Sequence, residues 1–114
     1  MTILEYVKNK VDIEHEDGDN TFDSRLLIDI ESALAELQQL TDIKSQDGIT
    51  ATTMFEEILS SSDQGLLMLC KTFVGICVRL TFDPPSGSVL TSLEKSKDSI
   101  ASRITIQPKE FYNE

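Results

Sequence analysis

Apolar residues recur every three or four positions along most of this chain, a spacing that places them on one face of a helix. The pattern predicts helices over residues 2–11, about 22–40, 64–82 and about 89–104. A shorter helix is predicted through residues 54–59. We therefore predict an all-α fold, a small bundle of about four to five helices with an extended C-terminal tail.

Residues 64–82 differ from the other predicted helices because nearly every face is apolar. A helix of this kind must be covered on most sides. A pair of strands using residues 73–82 is the alternative, but the length and spacing of the apolar run favour a helix. Gly75 is the weak point of this helix, because glycine is a poor helix former.

Polar segments separate the predicted helices. Residues 12–23 are expected to form an acidic loop and residues 41–50 a connector. Thr53 and Glu56 have the spacing of a capping box, in which a hydroxyl and a carboxylate satisfy the first amides of a helix. Residues 60–63, three serines and an aspartate, supply N-cap residues before the apolar helix.

The turn after the apolar helix is marked by Asp83, Pro84 and Pro85. Pro84 disfavours a helical conformation at Asp83, and neither proline has the N–H that a continuing helix needs. Ser86 and Ser88 are placed to cap the last helix. The chain must turn here, so we expect the last helix to pack antiparallel to its predecessor.

One helical domain is expected over residues 1–106, because 114 residues with a hydrophobic fraction of 39% suffice for one core. Residues 107–114 are expected to form a tail, in which Phe111 and Tyr112 provide side chains for docking. Small domains bury a lower fraction of their surface than large ones, so association with partners would add stability.

Acidic residues outnumber basic ones: 20 Asp and Glu against 10 Lys and Arg give a formal net charge of −10. This charge opposes nonspecific binding to DNA phosphates and to anionic membranes. Lys71 and Arg79 interrupt the most apolar segment, so no membrane span is expected. Residues 1–10 lack a signal-peptide core, and a product made in the cytoplasm is expected.

The residues that could carry chemistry form no catalytic pattern. Cys70 and Cys77 are seven positions apart, roughly 10 Å along a helix, which is too far for a disulfide, so we expect buried thiols. His15 is the single histidine, which leaves little scope for a zinc site or a catalytic triad. No glycine-rich phosphate loop occurs. We expect neither an enzyme nor a cofactor.

The acidic loop resembles a calcium-binding loop only superficially. With Asp12 at the first position of such a loop, Asp17 occupies the sharp turn that requires glycine, and Gly18 falls one place late. Asp23 replaces the final bidentate glutamate. A solvated acidic loop that binds no specific metal is therefore favoured.

Lys71 and Arg79 lie eight residues apart in the apolar helix, so they differ by roughly 80° around its axis. One interpretation is that their stems lie along the edge of the core while the charges reach solvent. The other is an ion pair with an acidic residue of a neighbouring chain. The sequence favours neither.

Residues 69–86 resemble the long helix and helix-breaking turn of phage head-tail connector proteins. The family's basic residue and Leu-x-Phe-Asp-Pro-Pro ending are matched by Arg79, Leu80, Phe82, Asp83, Pro84 and Pro85. Residues 53–57 are similar to the family's short helix, and residues 1–12 resemble its opening helix. One departure is the end of the last helix, where relatives commonly carry a tryptophan and residues 99–103 have none.

The resemblance implies a structural subunit that forms a closed ring of about a dozen copies at the head-tail interface of the virion. Its partners would be further copies of itself, the capsid portal and the stopper or tail-completion protein. DNA would pass through the ring without specific binding, and no membrane would be involved. The candidate contacts with the portal or neighbouring copies are Lys71, Arg79, Asp83, Pro84, Pro85, Ser86, Phe111 and Tyr112.

A different class of protein is the alternative: a small acidic helical regulator that binds a basic host or phage protein through its charged face. Mass separates the two, because a ring-sized species indicates the connector and a stable monomer indicates the regulator. For the connector, we expect acidic residues to face the channel or solvent, since a basic wall would grip the phosphates of passing DNA.

Overall fold

The computed structural model describes residues 2–10, 22–41, 49–58, 64–82 and 84–106. Within these ranges the chain forms four α-helices and one short 3₁₀ helix, Phe55–Glu57. The α-helices are α1 (Ile3–Lys10), α2 (Asp23–Gln38), α3 (Gln64–Phe82) and α4 (Gly87–Ile106). The prediction of an all-α bundle is confirmed.

The predicted helices are present with small shifts at their ends. Residues 73–82 lie inside α3, so the alternative pair of strands is wrong. α4 begins at Gly87, before the predicted start, so Ser88 lies within the helix and Ser86 precedes it. Gly87 has a φ of 66°, a left-handed conformation that favours glycine and lets the chain restart a helix directly after the prolines.

Several predicted segments lie outside the described residues. They are the acidic loop apart from Phe22 and Asp23, most of the connector at residues 41–50, the serine run at residues 60–63, Asp83 and the tail at residues 107–114.

α3 is the central helix of the bundle, and α1, α2 and α4 all pack against it. The buried side of α3 is formed by Cys70, Phe73, Val74, Gly75, Cys77, Val78 and Phe82. The buried apolar side chains of the other three helices are Ile3, Leu4 and Val7 of α1, Leu26, Ile30, Ala33, Leu34 and Leu37 of α2, and Ile104 of α4. These residues belong to a single core cluster.

α4 runs antiparallel to α3, as expected. Lys97 of α4 lies over the ring of Phe73, with Nζ 6.0 Å from the ring centroid. Leu93, one turn earlier in α4, lines a cleft with Ile76 and Arg79, which come later in α3 than Phe73 does. Residue numbers therefore rise along one helix as they fall along the other.

Gly75 brings α1 close to α3. A Cβ atom at this position would lie 3.3 Å from Lys10 Cγ and 3.4 Å from Tyr6 Cε2. Because these separations are tight, a large side chain would push α1 away from the core. The glycine that weakened the helix prediction therefore has a packing role.

The 3₁₀ helix is joined to the start of α1. The N–H of Ile3 donates to the carbonyl of Thr53 at 3.0 Å. The rings of Tyr6 and Phe55 meet edge to face, with centroids 5.3 Å apart. This contact adds Phe55 to the core.

The capping pair predicted at Thr53 and Glu56 is shifted by one residue. The carboxylate that accepts a hydrogen bond is that of Glu57, from the N–H of Met54 at 2.7 Å. Thr53 is buried, and its hydroxyl accepts from the N–H of Thr50 at 3.0 Å. Thr53 thus stabilises the preceding turn, and its carbonyl accepts the hydrogen bond from α1.

A polar junction, formed by Glu36, Cys77 and Lys97, ties α2, α3 and α4 together. The Cys77 thiol donates to Glu36 Oε2 at 3.3 Å, and Lys97 Nζ lies 3.1 Å from the same oxygen. Burial and the hydrogen bond to Glu36 raise the pKa of Cys77 to about 12, and burial raises the pKa of Cys70 to about 11. Both cysteines are buried free thiols, as predicted, and remain protonated at neutral pH.

The described part of the chain covers α3 incompletely. Met68 is 65% exposed. The partly buried apolar side chains of this helix are Leu66, Leu67, Leu69, Ile76 and Leu80. The described residues therefore cover α3 on most sides, as expected, but bury these apolar side chains only in part.

By length and composition, α3 is also long and apolar enough to cross a membrane. Core helices commonly share these two properties. The complete burial of Val74 and Val78 among the other helices supports the interpretation of α3 as a core helix.

We predict that Glu36 and Lys97 are energetically coupled. In a double-mutant cycle of Glu36→Gln and Lys97→Met, chemical denaturation should give a coupling free energy of roughly 0.5–1 kcal/mol, as for other partly exposed pairs.

Partial burial lowers the pKa of Lys97, but the hydrogen bond to Glu36 and nearby negative charges outweigh it and raise that pKa. The coupling should therefore persist at neutral pH and be lost as the pH rises through the raised pKa of Lys97. If the changes in unfolding free energy of the two single variants simply add in the double variant, the predicted coupling is contradicted.

We also predict that Asp29→Asn stabilises the fold at pH 7. Asp29 is 9% exposed, and its Oδ2 accepts no hydrogen bond from any described residue. Burial raises the pKa of this carboxyl, with the charge of Arg25 opposing. A raised pKa means that ionisation of Asp29 costs stability as the pH rises.

The gain should disappear below the ordinary aspartate pKa of 3.8, where the carboxyl is neutral in both states. Urea unfolding at pH 3.5 and pH 7 measures this. Glu94→Gln, an equal charge change at an exposed position of α4, is the matched control. An equal or larger gain for Glu94→Gln would show a general charge effect instead.

Candidate interaction site

The predicted contact residues of the proline turn lie at one end of the bundle. Pro84 and Ser86 are exposed, and Pro85 is partly buried. Asp83, and the tail residues Phe111 and Tyr112, lie outside the described residues. The described part of the turn therefore presents a short, rigid and mainly apolar surface.

Arg25 holds the end of α3 in place. Its Nη2 donates to the carbonyl of Phe82 at 3.1 Å, and its guanidinium lies 4.6 Å from the centroid of the Phe82 ring. The last carbonyls of a helix lack intrahelical partners, and the prolines that follow have no N–H to offer. A cation at this end also interacts favourably with the helix dipole. Arg25 thus donates to the Phe82 carbonyl the hydrogen bond that the prolines after α3 cannot donate.

Phe22 completes this arrangement. Its ring meets the ring of Phe82 at an interplanar angle of 78°, with centroids 5.6 Å apart. Phe22 remains 44% exposed, and Val89, in the first turn of α4, is 52% exposed. These two side chains and Pro84 provide exposed apolar area at the end of the bundle, which is typical of a protein contact.

Sequence reasoning did not identify Arg25 or Phe22 as part of the turn. Arg25 is the single basic residue of α2, and it lies three positions after Phe22, a spacing that brings side chains to the same side of a helix. The signal that the sequence offered for Arg25 was that it is the single basic residue in a helix with several acidic ones. Its partner, a backbone carbonyl 57 residues away, leaves no mark in the sequence.

Lys71 and Arg79 contact different parts of the molecule. Lys71 Nζ lies 5.4 Å from the centroid of the Phe55 ring, a cation–π contact within the chain. Arg79 is half-buried on the wall of the cleft that Tyr6 and Leu93 also line. The contact of Lys71 supports the core-edge interpretation for that residue, whereas the surroundings of Arg79 do not decide between the two.

The described residues offer little for catalysis or metal binding. Among them, no group of three or more His, Cys, Asp or Glu side chains is placed to hold a metal ion. The raised pKa values of Cys70 and Cys77 make both thiols poor nucleophiles at neutral pH. The arrangement of the described residues is suited to contacts with other proteins.

Comparison with known proteins gives a family match over nearly the whole chain. The family model described as phage connector protein matches residues 3–110. No curated protein and no solved structure matches the chain. The matched range includes residues 53–57 and 69–86 and all but the first two of residues 1–12, the three stretches that carried the resemblance.

We predict that Arg25→Ala lowers the free energy of unfolding by about 1–2 kcal/mol, because the Phe82 carbonyl and ring lose their partner. Chemical denaturation measures the loss. Arg25→Lys should recover only part of it, because an ammonium does not reproduce the planar stacking of a guanidinium. Full stability of Arg25→Ala would show that the Phe82 carbonyl finds another donor.

Proposed function

The chain belongs to the phage connector protein family, and on this basis we propose that it is a subunit of the ring that joins the capsid portal to the stopper or tail. The observation that carries the proposal is the family match over residues 3–110, nearly all of the 114 residues. A structural family also suggests a protein without enzymatic activity. The described residues agree with such a role.

Ring formation is supported by the incomplete cover of α3. Its partly buried and exposed apolar side chains, Met68 among them, lie where a neighbouring subunit would shield them. Closed rings are the usual outcome when identical subunits bind head to tail with a rotation that closes. The ring provides the cover that the small bundle lacks.

The proline turn is the part of the described surface that we assign to docking. Pro84, Pro85 and Ser86 occupy the end of the bundle, beside the exposed side chains of Phe22 and Val89. The contact of Arg25 with Phe82 makes this end rigid, which reduces the ordering cost of binding. We propose that this end contacts the portal or a neighbouring subunit, with Asp83, Phe111 and Tyr112 as further contacts.

The net negative charge supports a channel through which DNA passes without binding to the wall. A wall of carboxylates repels phosphates, whereas a basic wall would bind them in a salt-dependent way. With a net charge of −10 per copy, a ring would let the duplex slide. We propose that acidic residues face the channel or solvent.

The proposal predicts the phenotype of a phage that lacks this chain. Electron microscopy should show filled heads without attached tails, and supply of the wild-type chain in trans should restore tailed particles. Mass spectrometry of purified particles should find the chain in several copies. Normal tailed particles without it, or its absence from virions, would contradict the connector role and favour the acidic regulator.

A further inference from the structure

We infer that the cleft between α1, α3 and α4 receives a carboxylate side chain from a second copy of this chain. The inference rests on the proposed function, because a ring subunit must bind further copies of itself. The cleft has a volume of about 200 Å³, and its lining includes Tyr6, Lys10, Gly75, Ile76, Arg79 and Leu93.

The cleft carries positive charge in an otherwise acidic protein. Its lining has two cationic side chains, Lys10 and Arg79, and no acidic one. The Lys10 ammonium lies 5.3 Å from the centroid of the Tyr6 ring. The ion pairs seen between described residues use Lys8 and Lys97 instead. The charge of this cleft is therefore not balanced by a carboxylate of the described chain.

Arg79 points to a partner outside the described residues. Its Nε is shielded from solvent and forms no hydrogen bond with any residue that the structure describes. Leaving a buried donor without an acceptor is costly, so such groups in native proteins are nearly always paired. A guanidinium binds a carboxylate well, because two parallel N–H donors match its two oxygens. A carboxylate that enters the cleft would pair with the guanidinium of Arg79, which lines it.

A second copy is the partner whose charge fits the cleft. Each copy has 20 acidic residues against 10 basic ones, so its surface offers many carboxylates. A basic cleft on an acidic chain is thus complementary to the surface of another copy. The cleft is smaller than typical pockets for drug-sized ligands, and its volume suits a side chain. A DNA phosphate is disfavoured, because the net charge of −10 repels the remaining duplex.

The positive charge of the cleft also favours a head-to-tail contact between copies over a two-fold symmetric one. A two-fold contact centred on the cleft would bring Arg79 of each copy towards Arg79 of the other, which like-charge repulsion opposes. A head-to-tail contact instead places the basic cleft of one copy against an acidic surface of the next. Repetition of this contact closes into a ring when the rotation allows it. The cleft therefore makes every copy in the ring bind its neighbour in the same head-to-tail orientation.

The test compares Arg79→Gln with Arg103→Gln, an equal charge change at an exposed position near the end of α4. Light scattering over a range of concentrations measures self-association of the full chain, alone and with portal present. Arg79→Gln should weaken it roughly thirtyfold or more, as expected when a shielded charge pair loses one partner. Arg103→Gln should stay within about twofold of wild type, as for a rim charge.

A second measurement covers the case in which Arg79→Gln fails to fold. Sodium acetate, a free carboxylate, should weaken wild-type association more than sodium chloride of equal ionic strength does. Unchanged association of a folded Arg79→Gln, or equal effects of the two salts, overturns the inference. A wild-type chain that stays monomeric alone and with portal also overturns it.

Complementation separates this inference from the proposed function. If only the inference fails, phage supplied with Arg79→Gln produce as many tailed particles as phage supplied with wild type. If the connector role itself fails, tails attach even when no copy of the chain is supplied.

Discussion

Burial of α3 is the constraint on which the rest of this fold depends. The 19 residues of this helix present apolar side chains on nearly every side, and the described part of the chain offers three other α-helices to cover them. Their arrangement follows from this need. α1 approaches closely at Gly75, α2 supplies the longest buried stripe, and α4 returns antiparallel along the side that carries Phe73. Among the described residues of α3, Met68 remains exposed, and the proposed ring is one way to cover it.

The scarce cations of this acidic chain are placed beside aromatic rings around α3. Lys97 lies over Phe73, Arg25 over Phe82, Lys71 over Phe55 and Lys10 over Tyr6. Each contact lets an apolar stem extend the core while the charge meets the face of a ring. Lys97 and Arg25 do more, because one also binds Glu36 and the other the Phe82 carbonyl. Arg79 has no ring contact of this kind among the described residues, and its Nε is shielded from solvent without a hydrogen bond to any of them.

The two proposed contact surfaces have different physical character. The proline turn is mainly apolar, and Phe22 and Val89 add exposed apolar side chains at the same end of the bundle. The cleft at Arg79 is charged and recessed. Apolar surfaces bind through the area they bury, whereas charged clefts chiefly set orientation and exclude wrong partners. A ring subunit needs both kinds of contact, because it must bind its neighbours in one direction and the proteins above and below it at a defined end.

The sequence by itself determined the helices, the buried state of Cys70 and Cys77, and the stop after Phe82, because these depend on spacing and on what proline cannot do. It also carried the family resemblance. Only the tertiary structure decided that Glu57 replaces Glu56 as the capping residue, that Arg25 binds the Phe82 carbonyl, and that Arg79 shares a cleft with Lys10. The physical reason is distance along the chain. Local periodicity shows which face of a helix is apolar, but contacts between residues 57 or 69 positions apart exist only once the helices have packed.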